Sequence, residues 1–325
     1  MEAKVLAICD GEKQYAIKRM EAFGEKKGLG FQIHAFSDAG ELRQFANRTK
    51  IEILLITGKL LSEEADCLSA GEIILLSDGK VYEQFSNYKA VYKYQSAEQI
   101  WKEILGYYAD YAAPVAGIYS GKKEFEVHAV YSPIGRCGKS TLAKVLAKHF
   151  GKSKKTLLLD LQSYGASPEQ LGEDVLWDLS DIIYFLREGR KTFLYKLGSI
   201  VQSKDGYDHV LPMKSPADIR SVTSAEWTEL LEKLAAASDY QIIIMDFGYD
   251  VCGLLQLLSQ CTKVYIPTLS DPDSQRKINN FEWILNNENF KKVLDDAQKI
   301  TLPLRVGHLE VKAYFEEWTE RNVLV

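Results

Sequence analysis

Apolar residues in the first hundred positions cluster in short runs: Lys4–Ile8, Phe31–Ala35, Ile51–Ile56, Glu72–Leu76 and Ala90–Tyr94. Helical spacing fills Tyr15–Lys26 and Ala39–Asn47 between them, and Ala97–Tyr107 follows the last run. Strands alternating with helices predict a parallel sheet covered on both faces. Periodicity then stops. Ala112-Ala113-Pro114-Val115-Ala116-Gly117 and Ser120-Gly121-Lys122-Lys123 have turn composition. A linker is therefore expected over 108–124, dividing the chain into domains 1–107 and 125–325.

A second set of apolar runs follows: Val127–Tyr131, Thr156–Leu159, Tyr240–Met245 and Lys263–Pro267. Helical patterns separate them. Leu179, Ile182, Ile183 and Leu186 make one face of Asp178–Glu188, and Trp227, Leu230, Leu231 and Leu234 make a core face of Ala225–Ala237. Thr223-Ser224-Ala225-Glu226 fits a capping box opening that second helix. Leu254–Ser259 and Lys277–Asn286 are further helices, the latter with Phe281, Trp283, Ile284 and Leu285 apolar. Asp205-Gly206, between Ile200–Gln202 and His209–Leu211, predicts a hairpin or edge strand. The fold class expected is α/β, with one parallel sheet in each of two domains.

The stretch Glu126–Asp160 carries the chemistry. An apolar strand leads into Ser132-Pro133-Ile134-Gly135-Arg136-Cys137-Gly138-Lys139-Ser140-Thr141, a helix follows, and a second strand ends in Asp160. Strand, loop, helix and strand form the setting of a phosphate-binding loop. Gly135 and Gly138 let the backbone curl so that N–H groups face an anion, and the helix N-terminus adds its own unpaired donors. Lys139 is placed to reach the β/γ-phosphates, and the Ser140 hydroxyl to hold Mg²⁺. The full pattern is not met, because Pro133 stands where the first Gly of GxxxxGK[ST] belongs. Asp246 ends the run Ile242–Met245. With Asp160 it would lie at the carboxyl edge of a parallel sheet, where ligands bind. Either acid could act on Mg²⁺ or on an attacking water.

These motifs resemble the MinD/ParA-like (deviant Walker A) ATPases, and more closely their TadZ/CpaE-like branch of pilus-localisation proteins with a receiver-like N-terminal domain. The resemblance rests on Ser132–Thr141, Leu157–Gln162, Ile242–Asp246 and Cys261–Pro267, and it covers most of the chain. It implies a P-loop domain over 125–325 binding ATP and Mg²⁺ through Gly135, Arg136, Cys137, Gly138, Lys139, Ser140 and Thr141. Metal ligation would fall to Ser140, Asp160 and Asp246. In that family the strand ending at Pro267 and the loop beyond it approach adenine and ribose, making Pro267, Asp271 and Arg276 candidates. Three positions depart from the family. The signature lysine is Ile134, a glycine is Arg136, and the second acid after strand two is Gln162. Loss of the signature lysine also marks the TadZ/CpaE branch and implies weak hydrolysis. Arg136 has the charge and reach to contact a phosphate in its own or a partner's site, so it joins Lys139, Asp160 and Asp246 as a catalytic candidate.

The first domain resembles a response-regulator receiver of flavodoxin-like plan. The phosphate-accepting position at the end of its third strand reads Thr57, followed by Gly58. Asp10, Glu12, Ser77 and Lys93 match other receiver positions, while Tyr94 replaces the usual proline. Without an acceptor carboxylate this reads as a pseudo-receiver, a docking or dimerisation module.

Composition narrows the classes. The chain has 325 residues, 46% apolar and 26% charged, as ordinary globular proteins do. A net charge of −5 gives no global basic footprint for nucleic acid. Neither a signal peptide nor a membrane-length apolar run is seen, and five scattered cysteines imply free thiols in a cytoplasmic setting. Cys137, at a helix N-terminus, is either a thiol of lowered pKa or a small loop residue. Near the C-terminus Val311, Tyr314, Phe315 and Trp318 form one helical face, opposite Glu310, Glu316, Glu317 and Glu320. An acidic face is repelled by anionic lipid, so packing on the ATPase domain is expected. The resemblance implies a homodimer working with pilus, secretion or polar-localisation proteins, recruited to membrane or pole through them. Alternatives are a ParA-like DNA-partitioning ATPase and a nucleotide-binding scaffold without hydrolysis.

Overall fold

The computed structural model describes residues 4–24, 31–64, 70–79, 85, 87–111, 125–165, 177–188, 193–302 and 308–323. The chain divides into two compact units, Met1–Ile118 with Arg190–Ser199, and Tyr119–Gly189 with Ile200–Val325.

In the first unit β1 (Lys4–Cys9), β2 (Phe31–Phe36), β3 (Ile51–Thr57), β4 (Ala70–Ser77) and β5 (Lys89–Tyr92) form one parallel sheet in the order β2-β1-β3-β4-β5. This is a doubly wound order. The helices are α1 (Lys13–Gly24), α2 (Ala39–Ala46), α3 (Gly58–Glu64) and α4 (Ala97–Tyr111). One face of the sheet buries Leu6, Ile8, Ile53 and Leu55 against Phe23, Ile100, Trp101, Ile104 and Tyr108. Helix α4 therefore overruns the expected start of the linker, because Tyr108 continues the buried stripe of Ile100, Trp101, Ile104 and Leu105. Positions 112–124 of that linker lie outside the described residues. Tyr195, from a short helix in the second half of the sequence (Phe193–Ile200), belongs to this same core. Its hydroxyl accepts from Lys4 Nζ at 2.6 Å, and its ring meets that of Tyr108 edge-on at 4.9 Å. A single cut between domains, as the sequence suggests, does not describe this division.

In the second unit β6 (Glu126–Val130) leads to α5 (Lys139–Phe150) and β7 (Thr156–Leu161). After α6 (Leu179–Arg187), and α7 being the 193–200 helix, come β8 (Gln202–Lys204), β9 (Tyr207–Val210), α8 (Pro216–Ser221) and α9 (Ser224–Ala237). The rest is β10 (Ile242–Phe247), α10 (Leu254–Gln260), β11 (Lys263–Leu269), α11 (Pro272–Asn287), α12 (Lys291–Asp295), β12 (Ala297–Leu302) and α13 (His308–Asn322). The sheet runs β12-β11-β6-β10-β7-β9-β8, parallel except for the terminal β8–β9 hairpin. Asp205 and Gly206 turn that hairpin at φ 52° and 88°, the left-handed pair that a tight two-residue turn requires.

One sequence expectation changes here. Strand β11 does not end at Pro267 but continues to Leu269, with Pro267 registered against Ile300 of β12. Tyr265 O accepts from Tyr131 N, and pairing with β6 ends at Tyr265. Residues two apart in a strand point the same way, so Pro267 turns its missing donor towards a side where no ladder bond remains to be lost. On α11, Phe281 and Leu285 are buried but Trp283 is 63% exposed.

Helix α5 is held at both ends. At Gly138, φ is 78° and a Cβ would come within 2.8 Å of the Phe315 ring of α13. At Gly151 the carbonyl of Gly206 leaves no room for a Cβ. His149 Nε2 also meets Val323 O at 3.0 Å. Phe315 is fully buried beside Leu142, Leu146 and Phe150, with Val311, Tyr314 and Trp318 packed around it. Burying one such ring contributes roughly 2–3 kcal/mol. The apolar stripe of the C-terminal helix is thus spent on the core. No helix among the described residues is long and apolar enough to cross a membrane.

Candidate nucleotide site

The loop between β6 and α5 turns on two left-handed residues, Gly138 and Arg136, the latter at φ 58°. A non-glycine there is uncommon and stores strain. Ser132, Ile134 and Cys137 are buried inside the loop, while Gly135 and Arg136 face outward. Arg136 has no hydrogen-bond or ion-pair partner among the described residues. Cys137 donates its thiol to Ile134 O at 3.4 Å, and burial pushes its pKa up. It is a packed loop residue, not an activated thiol.

Lys139 begins α5 with its ammonium turned into the loop, donating to Ser132 O at 3.3 Å and Ile134 O at 3.4 Å. It forms no ion pair among the described residues. Burial lowers its pKa, and the fields of Cys137 and Asp246 oppose that shift. A buried ammonium satisfied only by carbonyls retains unused charge for an anion. Two tyrosine rings flank it, Tyr249 at 4.3 Å and Tyr131 at 6.0 Å from Nζ to centroid.

The two acids are neighbours because β7 and β10 pair with Asp160 opposite Asp246, and β6 places Val130 on the other side of Asp246. Burial, and secondarily the charge of Asp246, push Asp160 up to about 7. Burial raises Asp246 as well, against bonds from Ser140 and Gln162. Gln162 Nε2 donates to Asp246 Oδ1 at 2.8 Å and to Phe247 O at 3.1 Å, and its backbone N–H reaches Asp160 Oδ1 at 3.0 Å. Gln162 therefore does more than fill the place of an acid, for it positions both carboxylates.

The donor set fits Mg²⁺ with a polyphosphate. Mg²⁺ in such sites takes one or two carboxylates, a hydroxyl and phosphate oxygens. Ser140, Asp246 and Asp160 are the residues that would supply the protein part. No cluster of three or more His, Cys, Asp or Glu side chains able to hold a metal occurs among the described residues. Space is kept around the acids by glycines, since a Cβ on Gly165 would lie 2.9 Å from Asp160 Oδ2 and one on Gly248 2.7 Å from Leu161 O. The adenine candidates are dispersed. Pro267 is buried within β11, Asp271 caps α11 through Ser274 N at 2.9 Å, and Arg276 pairs with Asp273 on the surface at 3.0 Å.

In the first unit the matching edge is closed by its own charges. Lys93 Nζ donates to buried Asp10 at 2.9 Å and to Glu12 at 2.8 Å. Those bonds raise the Lys93 pKa despite desolvation. Residues 1–109 match the family described as "TadZ-like, receiver domain". The N-terminal segment is thus similar to TadZ-like receivers over those residues. A comparison with curated protein sequences found no match. Solved structures similar to the chain include a ParA family ATPase from Chlorobium tepidum TLS, at 19% identity over 59% of this chain and 80% of that one, with TM-score 0.45. A putative plasmid partition protein from Borrelia burgdorferi B31 bound to AMPPNP aligns at 17% identity over 62% and 84%, with TM-score 0.41. A MinC:MinD cell division complex from Aquifex aeolicus gives 18% identity over 58% and 72%, with TM-score 0.39.

In the first unit, Thr57 ends β3 at the position where an acceptor would stand, and Ser77 Oγ accepts from Gly79 N at 3.1 Å. Sequence reasoning marked Phe247–Asp250 as a switch-like turn but missed the contact of the Tyr249 ring with Lys139, the Gln162–Asp246 bond and the partners of Asp250. Asp250 accepts from Ser163 Oγ at 2.5 Å and from Arg220 Nε at 2.8 Å. These residues come from three separate segments, so no spacing in the chain signals them.

Proposed function

We propose that the chain binds ATP with Mg²⁺ in the Ser132–Thr141 loop and works as a nucleotide-gated localisation or assembly factor, like the TadZ/CpaE proteins it resembles. The observation that carries this is Lys139, a buried ammonium with no carboxylate partner among the described residues, at the head of a helix and beside Ser140, Asp160 and Asp246. In this reading the backbone N–H groups of Gly135–Ser140 and Lys139 bind the phosphates. Ser140 and Asp246 hold the metal, which neutralises phosphate charge. Asp160 orients water, and Gln162 fixes both carboxylates.

Hydrolysis is slow in this reading. Ile134 cannot supply the cation that the signature lysine brings, and losing one transition-state cation costs about 10³–10⁵ in rate. Exposed Arg136 is left to contact a phosphate, its own or a partner's, and to support a nucleotide-promoted homodimer. Titration calorimetry with ATP–Mg²⁺ tests the site, and Lys139→Ala should weaken binding about 100-fold or more. Unchanged affinity would sink the assignment. Steady-state phosphate release should be slow, and Arg136→Ala should weaken dimerisation at saturating ATP–Mg²⁺ in analytical ultracentrifugation.

A further inference from the structure

The helix that carries Lys139 starts without a side-chain lock. Asp178, Ser215, Thr223 and Asp271 close the starts of α6, α8, α9 and α11 by accepting a backbone N–H. Helix α5 starts after Gly138, which has no side chain to do so. Glycine populates positive and negative φ about equally, so nothing in Gly138 itself selects its φ of 78°. Yet that angle sets how the loop hands over to the helix. Gly138 O accepts from Leu142 N at 2.9 Å, and Lys139 and Ser140 follow directly. The selection comes from α13. A Cβ on Gly138 would fall 2.8 Å from Phe315 Cε2 and 3.0 Å from Val311 Cγ1, so both side chains lie against the glycine. Phe315 is fully buried there, and the far end of α13 is tied by Val323 O to His149 Nε2 at 3.0 Å. One turn beyond Phe315, Thr319 buries a hydroxyl with no hydrogen-bond partner among the described residues, which subtracts from the gain of docking.

We propose that Phe315 and Val311 are positioning residues for the nucleotide site, and that docking of the C-terminal helix on α5 sets the affinity of that site for ATP–Mg²⁺. The proposal rests on the nucleotide reading above. With α13 in place, the ring and the valine methyl hold Gly138 left-handed, and the loop keeps the shape that turns Lys139 inward. With α13 lifted, Gly138 samples other φ values. The competent loop then becomes a fraction of the population, and apparent affinity falls by that fraction. Linkage makes the effect mutual. A nucleotide that favours the ordered loop favours the docked helix by the same factor. The apolar stripe of α13 thus acts on the loop as well as on the core, through the one residue of the loop that cannot fix its own backbone.

The test uses the full chain and compares wild type with Phe315→Leu, Val311→Ala and Trp318→Leu. Trp318 packs into the same core from α13, edge-on to Tyr265 at 6.2 Å, whereas the three atoms nearest a Gly138 Cβ belong to Phe315 and Val311. Its truncation therefore weakens the helix contact without touching the loop. Calorimetry with ATP–Mg²⁺ should show binding about five- to tenfold weaker in Phe315→Leu, about two- to fivefold weaker in Val311→Ala, and within about twofold of wild type in Trp318→Leu. Without nucleotide, hydrogen exchange of the Leu142 amide, which bonds Gly138 O, should be faster in the first two variants and unchanged in the third. In wild type, ATP–Mg²⁺ should slow exchange across 310–322. Phe315→Leu and Val311→Ala proteins that bind as wild type does overturn the proposal and leave the nucleotide site intact. So does a Trp318→Leu protein that weakens binding as much as they do, because the effect is then general loss of stability. If Phe315→Leu does not fold, Val311→Ala decides alone. A wild-type chain that binds no ATP–Mg²⁺ overturns both readings.

Discussion

Two buried lysines stand at the carboxyl edges of the two parallel sheets, and they meet opposite fates. Lys93 is discharged into Asp10 and Glu12, so its sheet edge closes on itself. Lys139 has carbonyls and an aromatic face but, among the described residues, no carboxylate, so its charge remains available. Burial depresses the pKa of Lys139, while ion-pair bonds more than offset burial at Lys93. The same architecture thus yields a structural clamp in one unit and a candidate anion site in the other. What separates them is where the acids lie. In the first unit they come from the chain just after β1 and face the lysine, whereas in the second Ser140 and Gln162 hold Asp246.

The sharpest test of that contrast is to delete each charge in turn. Lys93→Met leaves Asp10 buried without its partner and should cost about 3 kcal/mol in urea unfolding. Lys139→Met removes an ammonium that no carboxylate needs and should change stability by less than about 1 kcal/mol. Equal losses would break the comparison. Its pH dependence has a definite sign. A lysine whose folded pKa is raised stabilises fully below its unfolded value of 10.5 and loses that contribution as pH rises through the folded pKa. The gap between wild type and Lys93→Met should therefore hold near neutrality and narrow only in the alkaline range above 10.5.

A smaller effect is expected from the backbone that aims Lys139. Gly138→Ala meets both a left-handed φ and the Phe315 ring, and should cost about 1–3 kcal/mol. Measured against Phe315→Leu alone, adding Gly138→Ala should still cost stability, because the left-handed φ and the Val311 contact remain. No loss in that comparison would show that φ costs nothing. The smallest expectation is no effect at all. Acetyl phosphate should leave no stable mass shift on residues 1–107, since Thr57 offers no carboxylate and Lys93 is already paired. A shift there would reopen the first unit as a phosphate-handling site.

Much of this was legible in the chain. Short apolar runs alternating with helical stripes marked nearly every strand, because strands buried on both faces read as continuous apolar stretches. Thr223 and Glu226 announced their helix by the capping box, whose reciprocal bonds the structure contains. The loop Ser132–Thr141 and the pair Asp160 and Asp246 were visible because local order suffices to bring them to one sheet edge. Other features depended on tertiary contacts. Tyr108 reads as the start of a turn-rich linker, yet it is core because the stripe of α4 extends one more turn to meet Phe31 and Tyr195. Pro267 reads as a strand end until the length of β6 is known. Tyr249 reads as part of a switch-like turn, but nothing local says that its ring faces a lysine 110 positions earlier.

Helix α5 behaves mechanically as a strut. Its N-cap Gly138 abuts Phe315, its C-cap Gly151 abuts the hairpin tip at Gly206, and His149 ties it to Val323. A displacement of even one residue's rise, about 1.5 Å, would drive backbone into a neighbour at one end or open a gap at the other. Force applied at the loop therefore cannot be relieved by axial travel of the helix. It must be taken up by the parts with slack, which are side chains and the turn that follows β10.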